Sequence, residues 1–213
     1  MLGNDIFDWV PTLESATPAI RKELEGVLRR PEDIPAFHQL SPDQKKISKE
    51  DNWKTFALNV FGQPVADNCA QCPETARVIG AIPGVQNAFF SILAPQYHIP
   101  PHKGPTRALI RCHLALVVPE QSDQCWLRVD EERCHWREGE VLLFDDTYEH
   151  EVYNNTDEQR VVLFMDIDRP MDWLGSFVNG ALLRLLKMST YVKTPMRNLA
   201  RWNRDRAAEK APH

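Results

Sequence analysis

No apolar run in the chain approaches the ~18–20 residues needed to span a bilayer. There is no internal repeat and no low-complexity segment, which argues against a solenoid or a disordered array. The five cysteines are an odd number, too few and too irregularly spaced for a disulfide scaffold. Met1 to Asp8 carry acids early and lack a basic segment, so they do not read as a secretory signal, and cytoplasmic residence is the expectation. Positive charge is also scarce: the net charge is −5. It is unevenly spread, because from Arg184 onward eight Lys and Arg face only Asp205 and Glu209. The tail is therefore +6 and residues 1–183 are −11. An acidic body argues against a nucleic-acid partner, and the basic tail leaves an anionic partner open.

What is present suits one soluble domain with a terminal extension. The 213 residues are enough for a substantial core, and 43% hydrophobic against 26% charged is ordinary. Residues 1–85 read as helices and loops. The run Leu13 to Arg29 places Ile20, Leu24 and Leu28 on one face, and Pro31 and Pro35 end it. Residues 36–68 read as polar loop with an aromatic cluster of Trp53, Phe56 and Phe61, and Pro73 opens a short helix through Ile79. From Val85 the period changes to two. Strands are expected at 87–94, 108–118, 125–129, 134–136, 140–144, 151–153 and 160–166. Such short strands with turn residues between them point to a mainly β fold, a double-sheet jelly roll with flanking helices. After Pro170 a helical period returns at Leu174, Phe177, Val178, Ala181, Leu182 and Leu185. Pro195 is expected to interrupt it, with a further helix or frayed tail from Met196 to Lys210. The division is a catalytic domain at 1–170, with its jelly-roll core at 86–170, and a helical extension at 171–213.

Polar residues of unusual kinds gather in the strand region. His102 lies in a Pro-Pro-His-Lys-Gly-Pro loop, and His150 opens a short strand after a run of acids. Either alone reads as a solvent-exposed histidine. Two on the strand ends of a jelly roll read as a metal pair, since imidazole suits iron, copper, zinc or nickel. The common non-haem iron set adds a carboxylate two residues after the first His, and here that position is Gly104. Asp146 is the acid best placed to bond a metal-held water, whereas Asp145 and Glu149 read as turn residues. Arg111 and His113 share one face of an otherwise apolar strand. A buried Arg needs an anion, either a distant side chain or a bound ligand, and the strand leaves both open. Arg160 opens another apolar strand and shares a face with Val162, Phe164 and Asp166. Two inward guanidinium forks beside a two-His metal fit a dicarboxylate.

Together these residues resemble the aspartyl/asparaginyl β-hydroxylase family of Fe(II)- and 2-oxoglutarate-dependent oxygenases. The resemblance runs over roughly residues 50–170. It is carried by Phe90-Ser91-Ile92 with Pro95, Pro101-His102-x-Gly104-Pro105-Thr106 and Arg111-x-His113-Leu114. Trp136-Arg137-Glu138-Gly139-Glu140, Phe144-Asp145-Asp146-x-x-Glu149-His150 and Arg160-Val161-x-Leu163 complete it. It implies His102 and His150 as iron ligands without a protein carboxylate, and Asp146 as the acid near iron-bound water. It implies Arg160 and Ser91 on one carboxylate of 2-oxoglutarate, with Arg111 and His113 near the other. The reaction implied couples O₂ and 2-oxoglutarate to hydroxylation of an unactivated C–H bond, first of all the β-carbon of an Asp or Asn residue.

Two departures concern substrate. The animal members' membrane anchor and helical repeats have no counterpart here. The Asp168-Arg169-Pro170-Met171 ending and the basic C-terminus resemble a bacterial branch that hydroxylates the acyl chain of lipid A at the inner membrane face. That reading brings peripheral membrane contact through the C-terminal helix, although packing of that helix on the sheet is the plainer expectation. A third reading is a non-catalytic, cupin-like protein that binds metal and anion. Cys69 and Cys72, in Cys-Ala-Gln-Cys, fit a weak metal or redox pair or simply two thiols, and four-ligand zinc would need a further pair.

Overall fold

The sheet strands fall into two antiparallel layers. A computed structural model of the chain describes residues 1–209. Its strands are β1 (Trp53–Val60), β2 (Gln63–Pro64), β3 (Val85–Leu93), β4 (Tyr97–His102) and β5 (Leu109–Val117). They continue with β6 (Cys125–Val129), β7 (Glu132–His135), β8 (Val141–Phe144), β9 (His150–Asn154) and β10 (Arg160–Asp168). One sheet has the order β2-β1-β3-β10-β5-β8 and the other β4-β9-β6-β7, which makes the fold a jelly roll. The helices are α1 (Val10–Ser15), α2 (Thr17–Leu28), α3 (Phe37–Leu40), α4 (Ala66–Gln71), α5 (Pro73–Ala81), α6 (Trp173–Met188) and α7 (Thr190–Glu209).

Each face of the large sheet is apolar for its own reason. The outer face carries Phe56, Leu58, Phe90, Leu114, Leu163 and Met165, covered by Leu13, Ile20, Leu24 and Ile79 of the helices. The inner face carries Ala57, Phe89, Leu93, Ala115, Val162 and Phe164 against Ile99, Leu127 and Val152 of the small sheet. Burial on both sides explains why β5 and β10 read as near-continuous apolar runs.

Several boundaries depart from expectation. The segment read as polar loop contains β1, which pairs with β3 along its length. The jelly roll therefore begins at Trp53 and not at residue 86. The aromatic cluster was its two alternating faces: Trp53 looks inward and Phe56 outward. Phe61 and Gly62 form the turn into β2 with φ of 50° and 80°, the geometry of a tight hairpin turn. His102 is not in a loop but ends β4, an edge strand, which is where Pro100 and Pro101 are tolerated. The first helix breaks at Ala16, just before Thr17-Pro18 starts α2. Pro195 lies inside α7 and does not end it, because tertiary anchors hold the helix through that point. Asn198 donates to the Leu40 carbonyl at 3.0 Å and Trp202 to the Asp33 carbonyl at 2.9 Å. Lys210 lies outside the described residues. All five cysteines are free.

Leu24 has no exposed surface and lies in the helix-covered layer. Leu24→Ala is expected to cost about 2–5 kcal/mol of unfolding free energy, measured by urea denaturation. A cost near zero would mean that the helical layer does not support the sheet.

Candidate active site

The register of β10 assembles the site. Antiparallel pairing sets Val162 beside both Ser91 and Ala115, Phe164 beside His113, and Asp166 beside Arg111. With period two, Arg160, Ser91, His113, Arg111 and Asp166 all fall on the inner face. The small sheet supplies the histidines: His102 of β4 is the register partner of His150 of β9.

The two imidazoles are adjacent, with ring centroids 4.1 Å apart. His102 Nδ1 donates to the Pro100 carbonyl at 2.8 Å, and His150 Nδ1 donates to the Tyr148 carbonyl at 3.0 Å. This pattern assigns the proton to Nδ1 in both rings and leaves Nε2 as the lone-pair nitrogen. Burial pushes both below the usual histidine range, His150 to about 3. Burial is assisted by the Arg111 charge, and the bonded carbonyls oppose it. Neutral imidazole with Nδ1–H held by a carbonyl is the form that binds metal. Among the described residues, no three His, Cys, Asp or Glu groups converge as a metal site. A metal here would take two protein nitrogens and complete its shell from solvent or ligand.

Gly104 leaves no room for the missing carboxylate. A Cβ at this position would overlap the carboxylate of Asp146. The Gly104 amide also donates to the Asp146 backbone carbonyl at 2.7 Å. Asp146 is 4% exposed, and burial raises its pKa against the opposing pull of Arg111.

Arg111 answers the question its strand left open. Nη2 lies 2.8 Å from Asp146 Oδ2, Nε lies 3.1 Å from Asp166 Oδ1, and Nη1 lies 3.4 Å from His150 Nε2. Its guanidinium also covers the Phe164 ring. The anions are thus two distant side chains, and Asp166 is a site residue that the strand pattern placed on the right face without a role. Asp145 pairs with Arg169 and accepts from Thr147, while Glu149 pairs with Arg128, so both do belong to the turn.

Deeper between the sheets the bonding stops. Arg160 is 1% exposed, stacks over Trp136, and its Nε and Nη1 have no hydrogen-bond partner. Burial lowers its pKa to about 10, which still leaves it cationic at neutral pH. Both nitrogens of buried His113, Nε1 of Trp136 and the hydroxyl of Thr55 are likewise unpartnered. Burial, then Arg160 and Arg111, hold His113 well below the ordinary histidine pKa, so it is neutral. Ser91 Oγ accepts from Trp53 Nε1 at 2.9 Å, which keeps its own O–H available to donate. A buried cation amid unpaired polar groups is costly unless an anion is bound. Trp53, Trp136 and Thr55 went unassigned in the sequence because their roles depend on cross-strand register.

A cavity of about 160 Å³ opens onto His102, Gly104 and Arg111. Its walls are largely apolar: Phe37, Leu40 and Ile47 before β1, Phe89 and Phe164 of the sheet, and Leu199 of α7. The wall from Phe37 to Ile47 had no signal beyond scattered apolar residues in a polar stretch.

The site thus joins, within one jelly roll, a pair of neutral histidines and a buried guanidinium with two nitrogens unsatisfied. The chain belongs to the aspartyl/asparaginyl β-hydroxylase family, whose sequence profile matches residues 14–170. It is 44% identical over 203 residues to an ornithine lipid ester-linked acyl 2-hydroxylase of Rhizobium tropici, covering 95% of this chain and 72% of that one. It is 30% identical over 166 residues to the human aspartyl/asparaginyl β-hydroxylase, covering 76% of this chain and 21% of the human protein. Against the rat aspartate β-hydroxylase domain-containing protein 2, identity is 38% over 173 residues, with 48% of that protein covered.

Gly104→Ala is expected to displace Asp146 and cost about 1–3 kcal/mol, as overpacking does. Gly104→Asp, which would nominally complete a two-His-one-carboxylate set, is expected to cost more. Urea unfolding of the two variants tests this, and a Gly104→Asp protein as stable as wild type would contradict it.

Proposed function

We propose that this protein is an Fe(II)- and 2-oxoglutarate-dependent hydroxylase whose substrate is the acyl chain of a membrane lipid. One observation carries the reading. His102, one of two adjacent neutral imidazoles, lines an apolar cleft, and between the same sheets lies the buried Arg160 guanidinium, two of whose nitrogens have no hydrogen-bond partner.

His102 and His150 would hold iron through Nε2, their Nδ1 protons fixed by the Pro100 and Tyr148 carbonyls. Arg160, with the Ser91 hydroxyl beside it, would take one carboxylate of 2-oxoglutarate, since a guanidinium fork matches a carboxylate. His113 offers an N–H to the same ligand from its unpartnered ring. Iron bound there supplies the redox chemistry in which 2-oxoglutarate, O₂ and a C–H bond become succinate, CO₂ and C–OH. Asp146, clamped by Arg111, accepts a hydrogen bond from water beside the histidines. Arg111 keeps Asp146 and Asp166 neutralised in place, and its expected contact with the co-substrate would require loosening those pairs. Phe89, Phe164 and Trp53 exclude water from this end of the cleft.

The apolar cleft favours an acyl chain over an Asp or Asn side chain. Of the two cations of its wall, Arg111 already has two carboxylates and Lys103 is exposed at the surface. The family's lipid-hydroxylating relative in Rhizobium points the same way. Contact with the membrane through the C-terminal helices belongs to this reading.

Purified protein supplied with Fe(II), 2-oxoglutarate and an ornithine lipid is expected to form succinate and add one oxygen to the acyl chain. His102→Ala is expected to lower both products by at least about 10³-fold, and a chelator should stop the wild type. Oxygen added to an Asp-containing peptide and not to lipid would overturn the substrate. Normal turnover by His102→Ala, or no succinate with either substrate, would overturn the enzyme reading.

A further inference from the structure

The C-terminal helix α6 is built inside out. Asn179 is buried and donates to the Ala108 carbonyl at 3.1 Å, and Leu183 is the buried apolar residue on that side. The opposite side carries Leu174, Phe177, Val178, Leu182, Leu185 and Met188 at i, i+3, i+4, i+8, i+11 and i+14, all exposed. Trp173 at the helix start is 82% exposed and Phe177 73%. A water-facing stripe of this kind marks a surface that something covers. Periodicity alone is equally consistent with packing on the sheet, and the structure places this face in solvent.

The neighbouring helix fixes the kind of cover. Lys193, Arg197, Arg201 and Arg204 share the outward side of α7, and all four are exposed. The opposite side of α7 is anchored by Asn198 and Trp202, and Leu199 lines the active-site cleft. Asn179 seats α6 on Ala108, three residues past the Lys103–Pro105 wall of the same cleft. An apolar stripe, a basic helix and the cleft wall are therefore continuous. Among the described residues no helix is long and apolar enough to cross a membrane, so α6 can lie in an interface and not span it. A second copy of the chain fits less well, because a self-complementary pairing would bring the two basic α7 helices together.

We propose that the outward face of α6 docks into the surface of an anionic lipid bilayer, with the basic side of α7 on the headgroups. Trp173, Phe177 and Leu185 enter the boundary between headgroups and acyl chains. Lys193, Arg197, Arg201 and Arg204 meet lipid phosphates. Docking in this pose presents α7, and the cleft behind it, to the layer from which an acyl chain would come. This rests on the lipid reading for its purpose, though not for its geometry.

The test is co-sedimentation of the full chain with phosphatidylcholine vesicles with and without phosphatidylglycerol, at low and high salt, without turnover. Wild type is expected to bind the phosphatidylglycerol vesicles and to weaken with salt. The combined Trp173→Ser, Phe177→Ser and Leu185→Ser variant, altered only at exposed positions, is expected to keep its thermal transition and bind at least about ten-fold less. Arg197→Glu with Arg204→Glu is expected to remove the salt-sensitive part. Three results would overturn the proposal: no binding by wild type, equal binding by the triple variant, or a wild-type dimer that the triple variant converts to monomer. A protein that binds vesicles but turns over no lipid would leave docking standing and remove the lipid substrate. Lipid turnover in detergent by a protein that binds no vesicles would do the reverse.

Discussion

A guanidinium sealed between two sheets without an anion is the constraint on which the rest of this structure turns. Arg160 is 1% exposed, and two of its nitrogens find no acceptor. Evolution could have removed the cost with a leucine, as buried ion pairs are commonly replaceable. The surrounding groups share the deficit: His113, Thr55 and Trp136 also have unused donors or acceptors. A cluster of unsatisfied groups held by well-packed strands is stored affinity for a ligand of opposite charge. The outer face of the large sheet, packed under helices, and the apolar part of the inner face offset that cost.

Arg111 shows the contrasting solution. It is also inward and cationic, yet it lies between Asp146 and Asp166 and against His150. Removing it would leave two buried carboxylates without their partner, a change that costs about 3–5 kcal/mol in comparable cases. This clamp also explains Gly104. The carboxylate of Asp146 fills the space where a side chain at 104 would stand, so an acid is present beside the histidines but arrives from the turn between β8 and β9. Asn87 Nδ2 donates to Asp166 Oδ2 at 2.9 Å, which ties the clamp to β3.

Much of this was legible in the sequence. Strand positions from 85 to 166, apart from the proline-bearing β4, follow from period two and turn residues, and the placement of Arg160 with Asp166 on one face needs no more than that. The jelly roll itself was legible for the same reason. What escaped depends on register between distant strands. β1 was hidden because its residues, buried on both faces, alternate less clearly, and because Lys54 and Asn59 made it read as loop. Whether Arg111 meets a ligand or a side chain was undecidable until β8 and β10 were set beside β5. The exposed stripe of α6 was visible as periodicity, but periodicity cannot say which side faces the protein. The extension lies beyond the family profile, which ends at Pro170, though similarity to the Rhizobium relative covers 95% of this chain and so extends into it.

The central claim is that Arg160 waits for a carboxylate of 2-oxoglutarate. Anaerobic calorimetric titration of the Fe(II)-loaded protein with 2-oxoglutarate, beside an Arg160→Met variant, measures it without turnover. The account predicts saturable binding by wild type, weakened in Arg160→Met by at least about 2 kcal/mol, the scale of a lost charge-assisted bond. Because methionine packs well in a buried site, the variant is expected to unfold at an equal or higher denaturant concentration. Equal 2-oxoglutarate affinity in the two proteins would contradict the account.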